Sequence, residues 1–215
     1  MHLRVDELGC RRSGRLIFAG LSFDLGPGEA LIVTGRNGAG KSTLLALLAG
    51  RIAAAGGRIV VEDVGEATLP ESLHWIGHRD GLKAALTAGE NLAFSRDILG
   101  APALSPRDAL SRVGLAHAHE LPVAYLSAGQ RRRVALARLL VAHRPLWLLD
   151  EPTSALDTAS QEVLHTLMQE HLTQGGLIIA ATHLPLLVTG AKELRIEAAI
   201  PAASPDVAGD DGWAA

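Results

Sequence analysis

The chain is poor in cysteine, in aromatic side chains and in net charge. Its 215 residues include one cysteine, aromatic residues make up 3%, and the formal net charge is −3. The lone Cys10 cannot form an intramolecular disulfide, which excludes a small scaffold held together by disulfides. The slightly negative charge leaves no global positive field that could hold nucleic acid or anionic lipid, so only a local basic patch could do so.

Long apolar runs are also missing. No run approaches the ~18 uninterrupted apolar residues that a membrane-spanning helix needs. Hydrophobic residues nevertheless make up 48% of the chain, which is too many for a disordered protein. The first residues show no apolar signal segment. We therefore expect a globular, cytoplasmic protein made of one ordinary domain or two small ones.

The distribution of apolar residues predicts strands that alternate with helices. The first part of the chain reads as antiparallel strands, because apolar and polar residues alternate and a Gly-Pro-Gly turn follows. Later strands lack this alternation, as strands buried on both faces do, and helical segments separate them, which is typical of a parallel sheet. The predicted buried strands are 30–34, 146–149 and 177–180, with further strands near 58–62 and 73–77, and the predicted helices include 44–50, 131–142 and 158–172. Thr87 with Glu90 and Ser105 with Pro106 read as helix starts.

A glycine-rich loop follows the predicted strand 30–34. It satisfies G-x-x-x-x-G-K-[ST] at every fixed position, between a strand and a helix as the chemistry requires. Its glycines let successive N–H groups turn toward a phosphate, Lys41 is expected to reach the β and γ phosphates of ATP, and Ser42 to supply a hydroxyl to Mg²⁺. The predicted nucleotide-binding residues are Gly35, Arg36, Asn37, Gly38, Ala39, Gly40, Lys41, Ser42 and Thr43. This loop alone does not separate kinases, GTPases and motor ATPases.

Two carboxylates follow the predicted strand 146–149. Asp150 and Glu151 fall at the carboxyl edge of the parallel sheet, where ligands bind in such folds. Asp150 is predicted to hold Mg²⁺ through water, together with Ser42. Glu151 is predicted to be the general base that takes a proton from an attacking water. The pair favours hydrolysis, and a solvated acid at a strand end is the alternative.

A short motif before the helix 131–142 carries a family resemblance. It consists of Leu126, Ser127, Ala128, Gly129 and Gln130 and is followed by three arginines. It resembles the signature of ATP-binding cassette (ABC) proteins, usually LSGGQ, with alanine in place of one glycine. The resemblance implies that this helix start acts on the γ-phosphate of ATP held by the opposite subunit of a dimer. The arginines 131–133 are interpreted as mostly structural, because the net charge does not favour a nucleic-acid patch.

Two further motifs extend the resemblance over residues 3–197. The residues Ser154, Ala155, Leu156 and Asp157 resemble the family's D-loop. His183 resembles its switch histidine, which implies a catalytic role in contacting the γ-phosphate and orienting water. The implied fold is α/β: a P-loop NTPase with a RecA-like parallel sheet core, an N-terminal antiparallel β subdomain and a short helical signature subdomain at about 79–135. We expect residues 198–215 to form a flexible C-terminal tail.

The sequence departs from the family pattern at two positions. Where the family usually has a glutamine that couples Mg²⁺ and water to the membrane partner, this chain has His78. Because Mg²⁺ prefers oxygen ligands, the imidazole is expected to hydrogen-bond a metal-bound water or the γ-phosphate. Where the family stacks an aromatic ring on adenine, Arg11 or Arg12 stands here, with no aromatic before Phe18. We therefore expect a loose choice between nucleotides.

Residues 75–78, 81–83 and 86–92, with Ala128, resemble the ABC branch that serves haem export in bacterial cytochrome c maturation. That resemblance implies an ATP-hydrolysing subunit on the cytoplasmic face of the inner membrane, dimeric across two ATP sites, working with membrane-spanning CcmB-like and CcmC-like subunits. The haem is assigned to those partners, and His117 and His119 are interpreted as surface residues.

Three alternatives differ in what they would bind or turn over. The chain could serve an ABC transporter for another substrate, which its membrane partner would reveal. A soluble ABC ATPase acting on nucleic acid or ribosomes usually carries two cassettes or a coiled-coil insertion, and this chain has one cassette and no heptad run. A nucleotide sensor would bind without turnover, which Lys41, Asp150, Glu151 and His183 together argue against.

Overall fold

Two sheets of different type organise the chain, whose computed structural model describes residues 1–184, 186 and 188–197. The expected tail, 198–215, lies outside the described residues. The elements in chain order are β1 (His2–Arg12), β2 (Arg15–Leu25), β3 (Ala30–Thr34), α1 (Lys41–Leu48), β4 (Gly56–Glu62), β5 (Leu73–Ile76), α2 (Ala88–Leu99), α3 (Pro106–Arg112), α4 (Ala128–Val141), β6 (Leu146–Asp150), α5 (Thr158–Thr173), β7 (Leu177–Ala181) and β8 (Lys192–Arg195).

The N-terminal sheet is antiparallel, as predicted, with strand order β2-β1-β4. A bulge interrupts β1 between Asp6 and Gly9, where its register with β4 shifts. Gly57 lies opposite this bulge at φ 81°, and a Cβ on it would come within 2.4 Å of the Glu7 carbonyl oxygen. Only glycine fits so close an approach, which lets β4 follow the bent strand.

The second sheet is parallel throughout, with strand order β5-β6-β7-β3-β8. Every residue of β6 and β7 is buried, which explains their unbroken apolar sequences. Parallel strands end at the same edge of a sheet, and this edge receives the loops that follow β3, β5, β6 and β7. The α/β fold with a parallel core is therefore confirmed.

Each face of the parallel sheet is covered by its own apolar core. Leu146 and Leu148 of β6 pack with α1 and the antiparallel sheet, whereas Trp147 and Leu149 pack with the helices α2 to α5. Burying a leucine or tryptophan side chain contributes about 2 kcal/mol, so both layers hold β6 in place. The loops at the strand ends can then carry polar groups without weakening the core.

The helix starts follow local capping chemistry. The expected capping box of α2 is present between Thr87 and Glu90, and Ser105 caps α3, with Pro106 as its first residue. Helix α4 begins at Ala128, three residues before the predicted start. Ser127 and Gln130 form a second capping box there, which fixes the earlier boundary.

The buried His74 and the half-buried His171 make the fold sensitive to acid. His74 Nε2 lies 2.8 Å from the Ala142 carbonyl oxygen, and the His171 ring stacks on Trp147 at 3.9 Å between centroids. Burial, which disfavours the charged imidazolium, lowers the pKa of each histidine to about 4. Between that value and the usual pKa of 6.5 the unfolded chain binds more protons than the folded one. The free energy of unfolding therefore rises with pH across this window.

We expect the free energy of unfolding to fall by about 2 kcal/mol for each of the two histidines between pH 7 and pH 5. Replacing His171→Phe keeps a ring on Trp147 but removes one titration, so the difference between the two pH values should shrink by about 2 kcal/mol. Urea unfolding at both pH values measures this. His117→Phe, at an exposed position, is the matched control. Equal pH differences in the two variants would contradict the assignment.

Candidate active site

The glycine-rich loop lies between β3 and α1, as predicted. Gly35 and Gly40 have φ angles of 144° and 110°, which disfavour any other residue. A Cβ on Gly40 would lie 2.7 Å from Ile17 Cγ2, so glycine lets the loop rest on the antiparallel sheet. A Cβ on Gly38 would meet no atom within 4 Å. The loop is therefore closely packed at Gly40 and has open space beside Gly38.

The Lys41 side chain hydrogen-bonds back to the start of this loop. The residue is 7% exposed, and its Nζ donates to the carbonyl oxygens of Gly35 at 2.8 Å and Arg36 at 3.4 Å. Those carbonyls are its only hydrogen-bond partners among the described residues. Gly40 provides no side-chain cap for α1, so the first N–H groups of the helix face the loop uncapped. A buried ammonium beside an uncapped helix start suits a phosphate group.

Ser42 and Asp150 bring two oxygens together although they are distant in sequence. Ser42 Oγ donates to Asp150 Oδ1 at 3.1 Å, and Asp150 is 4% exposed. Burial raises the pKa of Asp150, the hydrogen bond from Ser42 offsets part of that rise, and the neighbouring Glu151 charge adds to it. A buried carboxylate in this state is stabilised by a cation, and hydroxyl and carboxylate oxygens are ligands that Mg²⁺ prefers. The residues therefore fit magnesium.

Glu151 and His183 meet at the same edge. Glu151 has φ 47°, a left-handed conformation that costs a non-glycine residue about 1 kcal/mol. This turn is fixed by a hydrogen bond from its N–H to the Ala181 carbonyl oxygen at 2.8 Å. Glu151 Oε1 lies 2.9 Å from His183 Nδ1. The carboxylate and the imidazole can thus share or relay a proton.

The signature residues lie on the first turn of α4 and contact the D-loop. The Ser127 hydroxyl accepts from the Gln130 N–H, and the Ser127 N–H donates to Gln130 Oε1 at 2.8 Å. A Cβ on Gly129 would come within 2.9 Å of the Ala155 carbonyl oxygen, so glycine permits this close contact. Leu126 is buried, whereas Ser127 and Ala128 are exposed. Among the described residues no hydrogen bond joins residues 126–130 to the glycine-rich loop.

The D-loop residues have different structural roles. Leu156 packs in the core, and Ser154 donates its N–H to the Glu151 carbonyl oxygen at 3.1 Å. Asp157 caps α5 by accepting from the Ser160 N–H at 2.8 Å. This cap follows from a carboxylate one residue before a helix and could have been predicted from the sequence.

His78 belongs to the same edge, while the part of the chain that the structure describes places no free aromatic ring on the adenine side of the loop. His78 follows β5, close enough for its charge to lower the pKa of Asp150 against the effect of burial. Arg11 and Arg12 are exposed at the end of β1. Phe18, the first aromatic of that segment, is 3% exposed and packs beneath Gly40. It is therefore not free to stack on a base.

Arg132 is a functional candidate that the sequence analysis did not separate from its neighbours. It is 3% exposed and donates to the carbonyl oxygens of Asp150 and Glu151. Ala135, Leu136 and Leu139 are buried on the same side of α4, at the spacing of one helix face. That periodicity is a signal that could have identified Arg132 as a buried arginine.

Comparison with known proteins fits this geometry. The family described as ABC transporter matches residues 18–154, so the chain belongs to the ABC transporter family of ATP-binding proteins. A putative ABC transporter ATP-binding protein from Pyrococcus furiosus has the same fold, with a TM-score of 0.79 at 19% identity over 91% of this chain and 98% of that one. In the described residues no helix has the length and apolar character to cross a bilayer.

Within that family the chain belongs to the CcmA proteins. It is 56% identical over 198 residues to the cytochrome c biogenesis ATP-binding export protein CcmA of Bradyrhizobium diazoefficiens, covering 91% of this chain and 98% of the relative. It is 57% identical over 201 residues to the protein of the same name from Rhodopseudomonas palustris, covering 93% and 100%. The expected family is therefore confirmed.

Because none of the described residues offers a free aromatic ring beside the loop, we predict weak base selectivity. An arginine plane can lie on either purine, so ATP and GTP should compete for the site with affinities within about tenfold of each other. Competition binding against a labelled ATP analogue measures the ratio. Arg12→Tyr should raise the preference for ATP, with the exposed Arg58→Tyr as control. A strong preference for ATP in the unaltered chain would contradict the inference.

Proposed function

We propose that the chain is the ATP-hydrolysing subunit of an ABC transporter complex that powers haem export, or haem-chaperone release, in c-type cytochrome biogenesis. The observation that carries the ATPase part is the pairing of Glu151 with His183 beside the Ser42–Asp150 oxygens at one sheet edge. The similarity to cytochrome c biogenesis ATP-binding export proteins supports the export branch. The chain works at the cytoplasmic face of the inner membrane.

The residues from Gly35 to Thr43 hold the phosphates of ATP, with Lys41 on the β and γ phosphates. Ser42 and Asp150 hold Mg²⁺, which when bound neutralises charge that develops on the phosphate oxygens. The start of α1, where Lys41 is buried and no side chain caps the helix, supports the phosphate role. The hydrogen bond between Ser42 and Asp150 supports the metal role. ATP and Mg²⁺ are the only cofactors proposed.

Glu151 accepts the proton of the attacking water, and His183 contacts the γ-phosphate and orients that water. The 2.9 Å contact between Glu151 Oε1 and His183 Nδ1 supports this division, because each group fixes the other's orientation. The turn at Glu151 supports it as well, since it carries the carboxylate away from the line of β6 toward the end of β7.

The signature residues Leu126 to Gln130 act in trans, on ATP held by a second copy of the chain. The exposure of Ser127 and Ala128, with no hydrogen bond to the glycine-rich loop among the described residues, supports this. The D-loop residues Ser154 to Asp157 contact the signature helix and join the same interface. The working form is therefore a homodimer with two ATP sites.

CcmB-like and CcmC-like membrane subunits dock on the helical subdomain, about 79–135, of an ATPase domain that spans 1–197. Helices α2, α3 and α4 pack against one another there. Phe94 and Ile98 of α2 are 47% and 67% exposed, which supports a docking surface. No haem site and no nucleic-acid partner are proposed for this chain.

Replacing Glu151→Gln should reduce ATP turnover by at least about 100-fold, because an amide cannot accept the proton. ATP should then remain clasped between Lys41 of one subunit and Ser127 of the other, so an ATP-bound dimer accumulates. Turnover assays and size-exclusion chromatography with ATP measure the two effects. Glu162→Gln, an exposed acid on α5, is the control. A Glu151→Gln chain that stays monomeric with ATP and its membrane partners present would contradict the proposal.

The same variant can identify the partners. Mass spectrometry of proteins that co-purify with it from membranes in ATP should find CcmB-like and CcmC-like subunits. Membrane subunits of another transporter would show that the ATPase serves a different substrate. Ribosomal proteins or salt-sensitive nucleic acid would overturn the transporter assignment altogether.

His78→Gln should change kcat for ATP turnover, because an amide replaces the imidazole that is expected to hydrogen-bond a metal-bound water or the γ-phosphate. Turnover at saturating ATP measures this. His117→Gln serves as control, because His117 is exposed on the helical side of the molecule. An unchanged kcat in His78→Gln would contradict a role for the imidazole in the catalytic step.

A further inference from the structure

Arg132 makes five hydrogen bonds, although every other buried residue of its helix, α4, is apolar. Its Nη2 donates to the carbonyl oxygens of Asp150 at 2.9 Å and Glu151 at 2.8 Å, and its Nε to that of Pro152 at 3.4 Å. Its Nη1 donates to the Gly77 carbonyl oxygen at 2.9 Å and to Asp80 Oδ1 at 3.1 Å. One guanidinium thus joins two separate loops.

Burial makes these bonds obligatory. The Arg132 side chain is 4% exposed and that of Asp80 is 25% exposed, so the guanidinium has little water to replace a lost partner. The planar fork can reach both loops because its donors point in fixed, divergent directions. A lysine ammonium carries the same charge but cannot span the two loops with the same geometry.

The two loops carry the groups proposed for catalysis. Asp150 and Glu151 stand on one of them. His78 stands on the other, between Gly77 and Asp80, the two residues that Arg132 bonds. Asp80 is held a second time, because Arg138 donates to its carbonyl oxygen at 2.9 Å. The segment 77–80 is therefore attached at both ends to α4, the helix that begins with the signature residues.

The next residue of α4 provides a contrast. Arg133 Nη1 donates to the Val113 carbonyl oxygen at 3.2 Å, and no other hydrogen bond of its side chain occurs in the described part of the chain. That contact stays within the helical side of the molecule. The two neighbouring arginines have equal charge, but Arg132 is buried and reaches the catalytic loops, whereas Arg133 is half-buried and does not.

We propose that Arg132 is a positioning residue that fixes the His78 segment and the Asp150–Glu151 turn relative to each other. This rests on the proposed ATPase function, and it assigns Arg132 no contact with ATP. A displacement of segment 77–80 or of α4 is passed to the backbone carbonyl of Glu151 through a single rigid group. Glu151 is held at φ 47° next to this contact, so a small displacement changes where its carboxylate stands.

The test compares Arg132→Lys with Arg133→Lys in the full chain. Arg132→Lys should lower kcat for ATP by about 10- to 100-fold, as expected when a catalytic group is misplaced by about 1 Å. KM should change by less than about twofold, because the glycine-rich loop is untouched. Arg133→Lys should leave both constants close to those of the unaltered chain. Equal effects of the two substitutions, or a change confined to KM, would overturn the proposal.

Two further readouts separate positioning from a general loss of stability. Arg132→Lys should speed backbone hydrogen exchange at Glu151 and Ser154 by about tenfold or more, because their N–H groups hydrogen-bond at the turn whose carbonyl oxygens Arg132 holds. The rest of β6 and β7 should be unaffected. Combining it with His78→Gln should lower kcat no further than the stronger single substitution, since both act through one segment. Multiplicative losses, or exchange that speeds up across the whole chain, would indicate a structural role only.

Asp80→Asn covers the case in which Arg132→Lys fails to fold. It removes one ion pair but leaves the bonds from Arg132 to the carbonyl oxygens, so the same loss of kcat at constant KM is expected with smaller size. The hydrogen-exchange comparison needs no turnover, so it tests the connection even if the Glu151→Gln experiment contradicts the ATPase assignment. Unchanged exchange at Glu151 and Ser154 in both Arg132→Lys and Asp80→Asn would reject the inference.

Discussion

The register of β7 with its two neighbours is the constraint on which the site depends. Ala181 pairs with Val33 of β3 on one side and with Asp150 of β6 on the other. Because the three strands are parallel, the chain leaves the sheet at one level after each of them. The glycine-rich loop, the acidic pair and His183 therefore meet at that level, where the Ser42–Asp150 and Glu151–His183 hydrogen bonds join them. A shift of β7 by one residue would separate them and turn its apolar side chains to the wrong faces.

The division of labour between strands and loops follows from this arrangement. The central strands β6 and β7 are buried on both faces, so their side chains serve packing, and the polar groups occur where the strands end. The signature helix is different, because it is attached to the edge from outside through Arg132 and through the contact of Gly129 with Ala155. Its own first turn faces solvent. The dimer is proposed because, among the described residues, no hydrogen bond joins the exposed first turn of this helix to the glycine-rich loop of the same copy.

The sequence predicted the motifs and helix caps that depend on neighbouring residues, but it did not predict contacts between residues distant in the chain. The glycine-rich loop, the buried strands and the caps at Thr87 and Ser105 each depend on residues a few positions apart, so their patterns predicted them. Helix α4 starts earlier than the sequence analysis predicted, because the capping box of Ser127 and Gln130 lies within the signature motif and fixes its first turn. The bonds of Arg132 join residues up to 55 positions apart, and no spacing rule announces such pairs. The packing of Phe18 beneath Gly40 has the same cause.

The cap at Ser127 has a consequence for which residues this position can accept. Aspartate and asparagine cap the N-terminus of a helix as well as serine does, so the folding of α4 alone would tolerate any of them. In serine the oxygen accepts from the Gln130 N–H while the hydroxyl hydrogen stays available to donate. Aspartate would fill the same capping role with a negative charge and no donor. Helix stability is therefore indifferent to this substitution, whereas aspartate would repel the phosphate that we propose this turn binds.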